Sequence, residues 1–122
     1  MKKILVIDDE ASIRVLLAKM LEREGFFVIT ASDGKEGMEK IKTEEVDLVV
    51  TDLIMPGKEG VEVIMELRKG YPAMPVIAIS GGGYNTPENY LNMAKLLGAK
   101  AVLKKPVQKD VFLEAVRNSL KL

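Results

Sequence analysis

Short apolar runs alternate with amphipathic runs along the whole chain. The apolar runs are rich in β-branched residues and lack the alternation of apolar and polar positions that marks a strand with one wet face. Such runs are typical of strands that are buried on both faces of a parallel sheet. Five strands are therefore predicted, at residues 4–7, 26–29, 48–50, 76–79 and 101–103.

The segments between these strands carry the spacing of helices. On the first helix, which Gly25 ends, the apolar face is predicted to hold Ile13, Leu16, Leu17, Met20 and Leu21. Thr86 and Pro87 are predicted as the N-cap and first residue of the fourth helix, which Gly98 ends. The later helices are predicted at 34–42, 59–69, 87–97 and 109–120.

Five repeats of strand then helix imply right-handed βαβ crossovers and a doubly wound α/β sandwich. The length of 122 residues suits one domain, and the sequence shows no linker, internal repeat or low-complexity segment. We therefore predict a single domain over 1–122.

The charges are balanced, with 18 basic and 18 acidic residues, so no electrostatic field for nucleic acid is predicted. No apolar stretch approaches the ~18 residues that a membrane span needs. The apolar run after Lys2 and Lys3 is too short for a signal peptide, so a cytoplasmic location is expected.

The chain has neither cysteine nor histidine. This excludes disulfide scaffolds, thiolate zinc sites, and catalysis by Ser-His-Asp or Cys-His groups. Any resident metal would be a hard cation held by oxygen ligands, namely Mg²⁺, Ca²⁺ or Mn²⁺.

Polar side chains follow the strands at the edge where parallel sheets bind ligands. They are Asp8, Asp9, Glu10, Asp52, Ser80, Lys104 and Lys105. Taken singly, each is an ordinary turn, cap or surface residue, but together they form a cluster. Two carboxylates 4 Å apart repel by about 4 kcal/mol at an effective dielectric near 20, so either one is protonated or a cation neutralises them. Carboxylates with a hard cation and a lysine suit phosphoryl transfer, in which a carboxylate can be the nucleophile.

The ordered set of motifs resembles the receiver domain of two-component response regulators over essentially the whole chain. The motifs are LVIDDE at 5–10, DLIMPG at 52–57, Ser80, and KKP at 104–106. The resemblance implies a flavodoxin-like (βα)5 fold with strand order 2-1-3-4-5. It also implies that strands 1 and 3 lie side by side, with Asp8 and Asp9 facing Asp52.

The resemblance further implies a site for Mg²⁺, or for Mn²⁺ in its place. Asp9 and Asp52 would bind the ion directly, the backbone carbonyl of Ile54 would be a further ligand, and Asp8 would act through water. The protein would be no conventional enzyme, although it would catalyse its own phosphorylation and its own slow dephosphorylation.

Asp52 would be the phosphoacceptor for a phosphohistidine on a sensor histidine kinase or a phosphotransfer protein. Lys105 would pair with the phosphoryl oxygens, and Ser80 would move to hydrogen-bond the phosphoryl group. Glycines 81–83 would give the loop the freedom to follow. The output would be binding of an unidentified target through the fourth helix, fifth strand and fifth helix.

Four positions depart from the family pattern. Val102 stands where an aromatic residue is usual, and its stiff side chain has no ring to swing inward. Ile54 and Gly82 stand where side chains flank the attacking water, and neither can hydrogen-bond it, so slow autohydrolysis is predicted. Val107 replaces a common Phe, which we interpret as a packing change.

Two other functions stay open at this point. One is a flavodoxin-like ligand binder, although the acidic run at 8–10 would repel a phosphate. The other is a phosphorylation-independent interaction module, which Val102 leaves open and which is opposed by the intact set Asp8, Asp9, Asp52, Ser80 and Lys105. A stand-alone receiver is expected, as a monomer or a weak phosphorylation-linked dimer that contacts neither membrane nor nucleic acid.

Overall fold

Strands and helices alternate through the residues that the computed structural model describes, which are 1–53, 60–80, 92, 95 and 97–122. The strands are β1 (Lys3–Ile7), β2 (Phe27–Ala31), β3 (Leu48–Asp52), β4 (Val76–Ser80) and β5 (Ala101–Lys104). The helices are α1 (Ala11–Arg23), α2 (Gly34–Thr43), α3 (Gly60–Gly70) and α4 (Lys109–Leu120). Most of the helix predicted at 87–97 lies outside the described residues. No helix in the described ranges is long and apolar enough to cross a membrane.

The five strands form one parallel sheet in the order β2-β1-β3-β4-β5. Ile7 lies opposite Thr51, Asp52 opposite Ile79, and Ser80 opposite Lys104. The predicted doubly wound α/β fold and its strand order are confirmed. Since β1 and β3 are neighbours, the chain segments that leave them lie side by side.

The strands extend further than the apolar runs that predicted them. Asp52, Ser80 and Lys104 were expected just after their strands, but each is the last residue of its strand. The hydrogen bonds between strands are made by backbone groups and do not depend on the side chain, so a polar residue can be the last residue of a strand. The polar groups of the sheet edge are therefore held by the sheet itself.

Two hydrophobic cores lie on opposite faces of the sheet. Successive residues of a strand point to opposite faces, so Leu5 and Ile7 pack with α2 and α3 while Ile4 and Val6 pack with α1 and α4. The residues of β3 and β4 are buried throughout, as predicted for strands covered on both sides. The edge strand β2 differs, since Phe27 at its start is half exposed.

Helix α1 covers the second of these cores. Leu17 and Leu21 are buried, and Gly25 with φ +90° lies just after the helix, as predicted. The prediction that Leu16 belongs to the buried face is wrong, because its side chain is 46% exposed. Adjacent helical residues point about 100° apart, so Leu16 lies at the margin of the face that Leu17 centres.

Candidate functional site

Four strand ends bring the predicted site residues to one edge of the sheet. Asp8 directly follows β1 and is 1% exposed, while Asp52 ends β3 and is 5% exposed. Ser80 ends β4 and is equally buried. Lys105 follows β5, and its backbone N–H donates to the Ser80 carbonyl oxygen at 2.8 Å. The ends of β4 and β5 are therefore joined at the site by a backbone hydrogen bond.

The ammonium group of Lys105 lies among three carboxylates. Its Nζ is 3.0 Å from Asp8 Oδ2, 3.1 Å from Asp52 Oδ2 and 3.4 Å from Glu10 Oε1. Burial lowers the pKa of Lys105, but the contacts with Asp8 and Asp52 outweigh it and raise the pKa above its ordinary value. Lys105 is therefore charged at neutral pH, and its ammonium group lies in contact with both Asp8 and Asp52.

Negative charge exceeds positive charge among the described residues of this cluster. Oxygens of Asp8, Asp9 and Glu10 lie within 4.8 Å of one another, and Asp52 joins them through Lys105. Asp8 Oδ2 is buried and accepts no hydrogen bond from the described residues, although it is paired in charge with Lys105. Carboxylate oxygens with spare lone pairs are the donors that hard divalent cations prefer. The residues present therefore fit Mg²⁺ or Mn²⁺.

The remaining residues that the sequence singled out either lie outside the described residues or lie away from the carboxylates. Ile54 and Gly82 lie outside the described residues, as do the glycines at 81–83. Val102 is half-buried opposite Ala78 and packs into the core on the α2 and α3 side. A valine there fills space in the sheet layer.

Glu10 lies in the site with the other carboxylates of the predicted acidic run. Arg14 also joins the site, although it was not among the residues predicted from the sequence. Arg14 Nη1 donates to the backbone oxygen of Asp8 at 2.7 Å. No sequence signal pointed to this bond, since it depends on how α1 turns over the edge of the sheet.

Two further residues support the backbone of Asp52. The Thr51 hydroxyl donates to the Asp52 carbonyl oxygen at 3.0 Å. Gly60, at the start of α3, packs so closely that a Cβ there would lie 1.9 Å from the same oxygen. Its N–H donates to the Leu53 carbonyl oxygen at 3.0 Å. Helix α3 therefore begins directly against the end of β3.

Comparisons with a family model and with curated proteins point to the same family. The family model described as the response regulator receiver domain matches residues 4–117. The transcriptional regulatory protein GlrR of Escherichia coli is 36% identical over 117 residues, which are 96% of this chain and 26% of that protein. The chain spans about a third or less of the length of the first curated relatives that it matches.

Two solved structures of response regulators are similar to this chain in both fold and sequence. A response regulator receiver domain protein from Clostridium thermocellum has a TM-score of 0.90 and 34% identity, covering 99% of this chain and 95% of that one. The response regulator TrrA of Thermotoga maritima, solved in complex with Mg²⁺-BeF, has a TM-score of 0.87 and 34% identity. That comparison covers 98% of this chain and 100% of TrrA.

Proposed function

Because this chain belongs to the response regulator receiver domain family, we propose that Asp52 accepts a phosphoryl group from a phosphohistidine. The family's members act in two-component signalling as phosphoacceptors. One observation carries this proposal: Asp52 is a buried carboxylate at a strand end whose Oδ2 lies 3.1 Å from the Nζ of Lys105.

The proposed transfer uses groups that the chain supplies. An Asp52 carboxylate oxygen attacks phosphorus in a phosphoimidazole that is protonated at its other ring nitrogen, the P–N bond breaks, and the electron pair of that bond goes to the nitrogen that held phosphorus, so the ring leaves as neutral imidazole. The products are an acyl phosphate on Asp52 and a free imidazole. The chain contains no histidine, so the donor belongs to a partner, either a sensor histidine kinase or a phosphotransfer protein. Lys105 offsets negative charge on the phosphoryl oxygens.

The acidic cluster would hold the divalent cation. We assign Asp9 and Asp52 as direct ligands of Mg²⁺ or Mn²⁺, the Ile54 carbonyl as a backbone ligand, and Asp8 as a ligand through water. A bound cation would supply positive charge against the phosphoryl oxygens. The buried oxygen of Asp8 and the cluster's excess of carboxylates support this assignment. TrrA, a similar protein, was solved with Mg²⁺-BeF.

Ser80 would report the phosphorylated state. We propose that its hydroxyl turns to hydrogen-bond the phosphoryl group and that its loop changes the partner-binding face. The hydrogen bond from the Lys105 N–H to the Ser80 carbonyl supports a link between the two residues. Val102 has no ring to swing, so the Ser80 loop itself would carry the change.

Incubation with acetyl phosphate and Mg²⁺ tests the phosphoacceptor function. The intact mass is expected to rise by one phosphoryl group, peptide mapping is expected to place it on Asp52, and chelation of the cation by EDTA is expected to prevent the gain. A folded protein that gains no mass would contradict the proposal and favour a phosphorylation-independent interaction module. A co-purifying flavin or nucleotide would favour a ligand binder instead.

The phosphorylated protein is expected to lose its phosphoryl group slowly, over minutes or longer. Neither Ile54 nor Gly82 has a side chain that can hydrogen-bond an attacking water. The decay of the phosphorylated mass, followed after removal of the phosphodonor, measures this rate. Ile54→Asn and Gly82→Asn would each introduce a polar group, and at least one of them is expected to speed the decay. Loss of the label within seconds from the unaltered protein would contradict the prediction.

A further inference from the structure

Arg14 reaches from α1 to the main chain of the acidic turn, which is the run of carboxylates at residues 8–10. It is the fourth residue of the helix, and its Nη1 donates to the backbone oxygen of Asp8 at 2.7 Å in a partly buried contact. A guanidinium forms a charge-assisted hydrogen bond of this kind with a fixed, planar geometry. The bond joins the helix to the residue that directly follows β1 and begins the acidic run at 8–10.

Each polar group of Asp8 is engaged by a different part of the fold. Its N–H donates to the Ala31 carbonyl at 3.1 Å, and its Oδ1 accepts from the Glu10 N–H at 2.9 Å. Its Oδ2 lies 3.0 Å from Lys105 Nζ, and its backbone oxygen accepts from Arg14. Two of these contacts come from side chains, and Arg14 provides the one that holds the backbone.

The position of Arg14 is unfavourable for the helix taken alone. The N-terminal end of a helix carries partial positive charge and favours anions over cations. The first turn of α1 has no acidic residue, and its N-cap residue Glu10 makes no side-chain capping hydrogen bond. A cation that breaks a local rule of this kind indicates a role elsewhere, and the contact with Asp8 supplies one.

We propose that Arg14 is a positioning residue that fixes the main chain of Asp8 and so orients the carboxylates of Asp8, Asp9 and Glu10 toward a divalent cation. The inference rests on the proposed function only in taking this cluster as the cation site. It assigns Arg14 no contact with the cation or with a phosphoryl group.

The charge of Arg14 and its positioning role predict opposite effects on cation affinity. If Arg14 acted only as a nearby positive charge, its removal would tighten cation binding, because a competing charge would be lost. If Arg14 orients the turn, its removal weakens binding, because the carboxylates no longer converge. The sign of the change therefore separates the two roles.

Binding of Mn²⁺, followed through the electron paramagnetic resonance signal of the free ion, provides the test. Arg14→Met is expected to weaken binding about tenfold, as is usual for loss of a partner that orients a ligand. Arg14→Lys, which keeps the charge and a single donor, is expected to recover part of the affinity. Arg23→Met is the matched control, since Arg23 is exposed in the last turn of the same helix, and it is expected to leave affinity unchanged.

Amide hydrogen exchange without metal gives a second readout. The Glu10 N–H, which donates to Asp8 Oδ1, is expected to exchange faster in Arg14→Met than in Arg23→Met. Equal or tighter Mn²⁺ binding by Arg14→Met, or unchanged exchange at Glu10, would overturn the inference. If Arg14→Met does not fold, Arg14→Lys decides alone, and affinity equal to that of the unaltered protein would overturn it.

Failure of the phosphoacceptor proposal would give a different pattern. The unaltered protein would then bind Mn²⁺ and respond to Arg14→Met, yet gain no phosphoryl group from acetyl phosphate. An unaltered protein that binds no Mn²⁺ would overturn the role of Arg14 directly.

Discussion

Asp52→Asn is expected to abolish the gain of one phosphoryl group from acetyl phosphate while leaving the fold intact. The amide is not a nucleophile comparable to a carboxylate, so no acyl phosphate can form at this position. The side chain keeps its size and an oxygen that can accept from Lys105. Intact mass measured after incubation with acetyl phosphate and Mg²⁺ checks the loss.

The same variant is expected to be more stable than the unaltered protein when divalent cations are removed. Asp52 shares Lys105 with Asp8 and Glu10, and removing one carboxylate relieves repulsion that the lysine alone does not balance. We expect the free energy of unfolding to rise by about 1 kcal/mol in EDTA, a fraction of the repulsion between two such charges at an effective dielectric near 20.

Urea denaturation with EDTA and again with saturating Mg²⁺ separates the two effects of Asp52→Asn. The stability gain is expected in EDTA and is expected to vanish with Mg²⁺, because the cation then neutralises the carboxylates of the unaltered protein. Phosphorylation that persists in the folded variant would show that another residue is the acceptor. A large loss of stability in EDTA would contradict the charge excess inferred for the site.

Gly60→Ala is expected to destabilise the fold by about 3 kcal/mol, at the upper end of the usual cost of overpacking. An added Cβ would lie 1.9 Å from the Asp52 carbonyl oxygen and 2.8 Å from Leu53 Cα. Both are backbone atoms that cannot rotate away, so either α3 or the end of β3 must move. Because Asp52 belongs to that strand end, phosphorylation is expected to slow along with the loss of stability.

Gly70→Ala is the matched control for this substitution. Gly70 ends the same helix, and an added Cβ there would meet nothing within 4 Å. We expect a change below about 1 kcal/mol, since alanine is the better helix former and no atom opposes it. Thermal and urea unfolding of both variants make the comparison. Equal stabilities for Gly60→Ala and Gly70→Ala would contradict the close packing of α3 against Asp52.

The sequence sufficed for the fold because its signal is periodic and repeated. Unbroken apolar runs predicted strands covered on both faces, and β3 and β4 are buried throughout. Strand ends were less accurate, because Asp52 and Ser80 ended the apolar pattern while the hydrogen-bonded ladder continued through them. Leu16 was misassigned for a related reason: spacing gives a helix face, but only packing decides where that face ends.

Some residues of the site could likewise be predicted from the sequence and others could not. Asp8, Asp52 and Lys105 could be predicted because each follows or ends a strand, and parallel strands end at a common edge. The roles of Arg14 and Gly60 could not be predicted, because both depend on how a helix meets the sheet. An arginine in a first turn and a glycine before an apolar run are ordinary in sequence, and only their distances to Asp8 and Asp52 give them meaning.

The contact between Glu10 and Lys105 joins residues that are 95 positions apart. The site is therefore complete only when both segments are present and folded together. Each half of the site is chemically incomplete: the acidic turn lacks its ammonium, and the lysine lacks its carboxylates. A nascent chain, or a fragment cut by a protease, therefore lacks part of the site that is proposed to accept the phosphoryl group. On the proposed function, a histidine kinase would transfer phosphoryl groups only to molecules whose sheet has closed from β1 to β5.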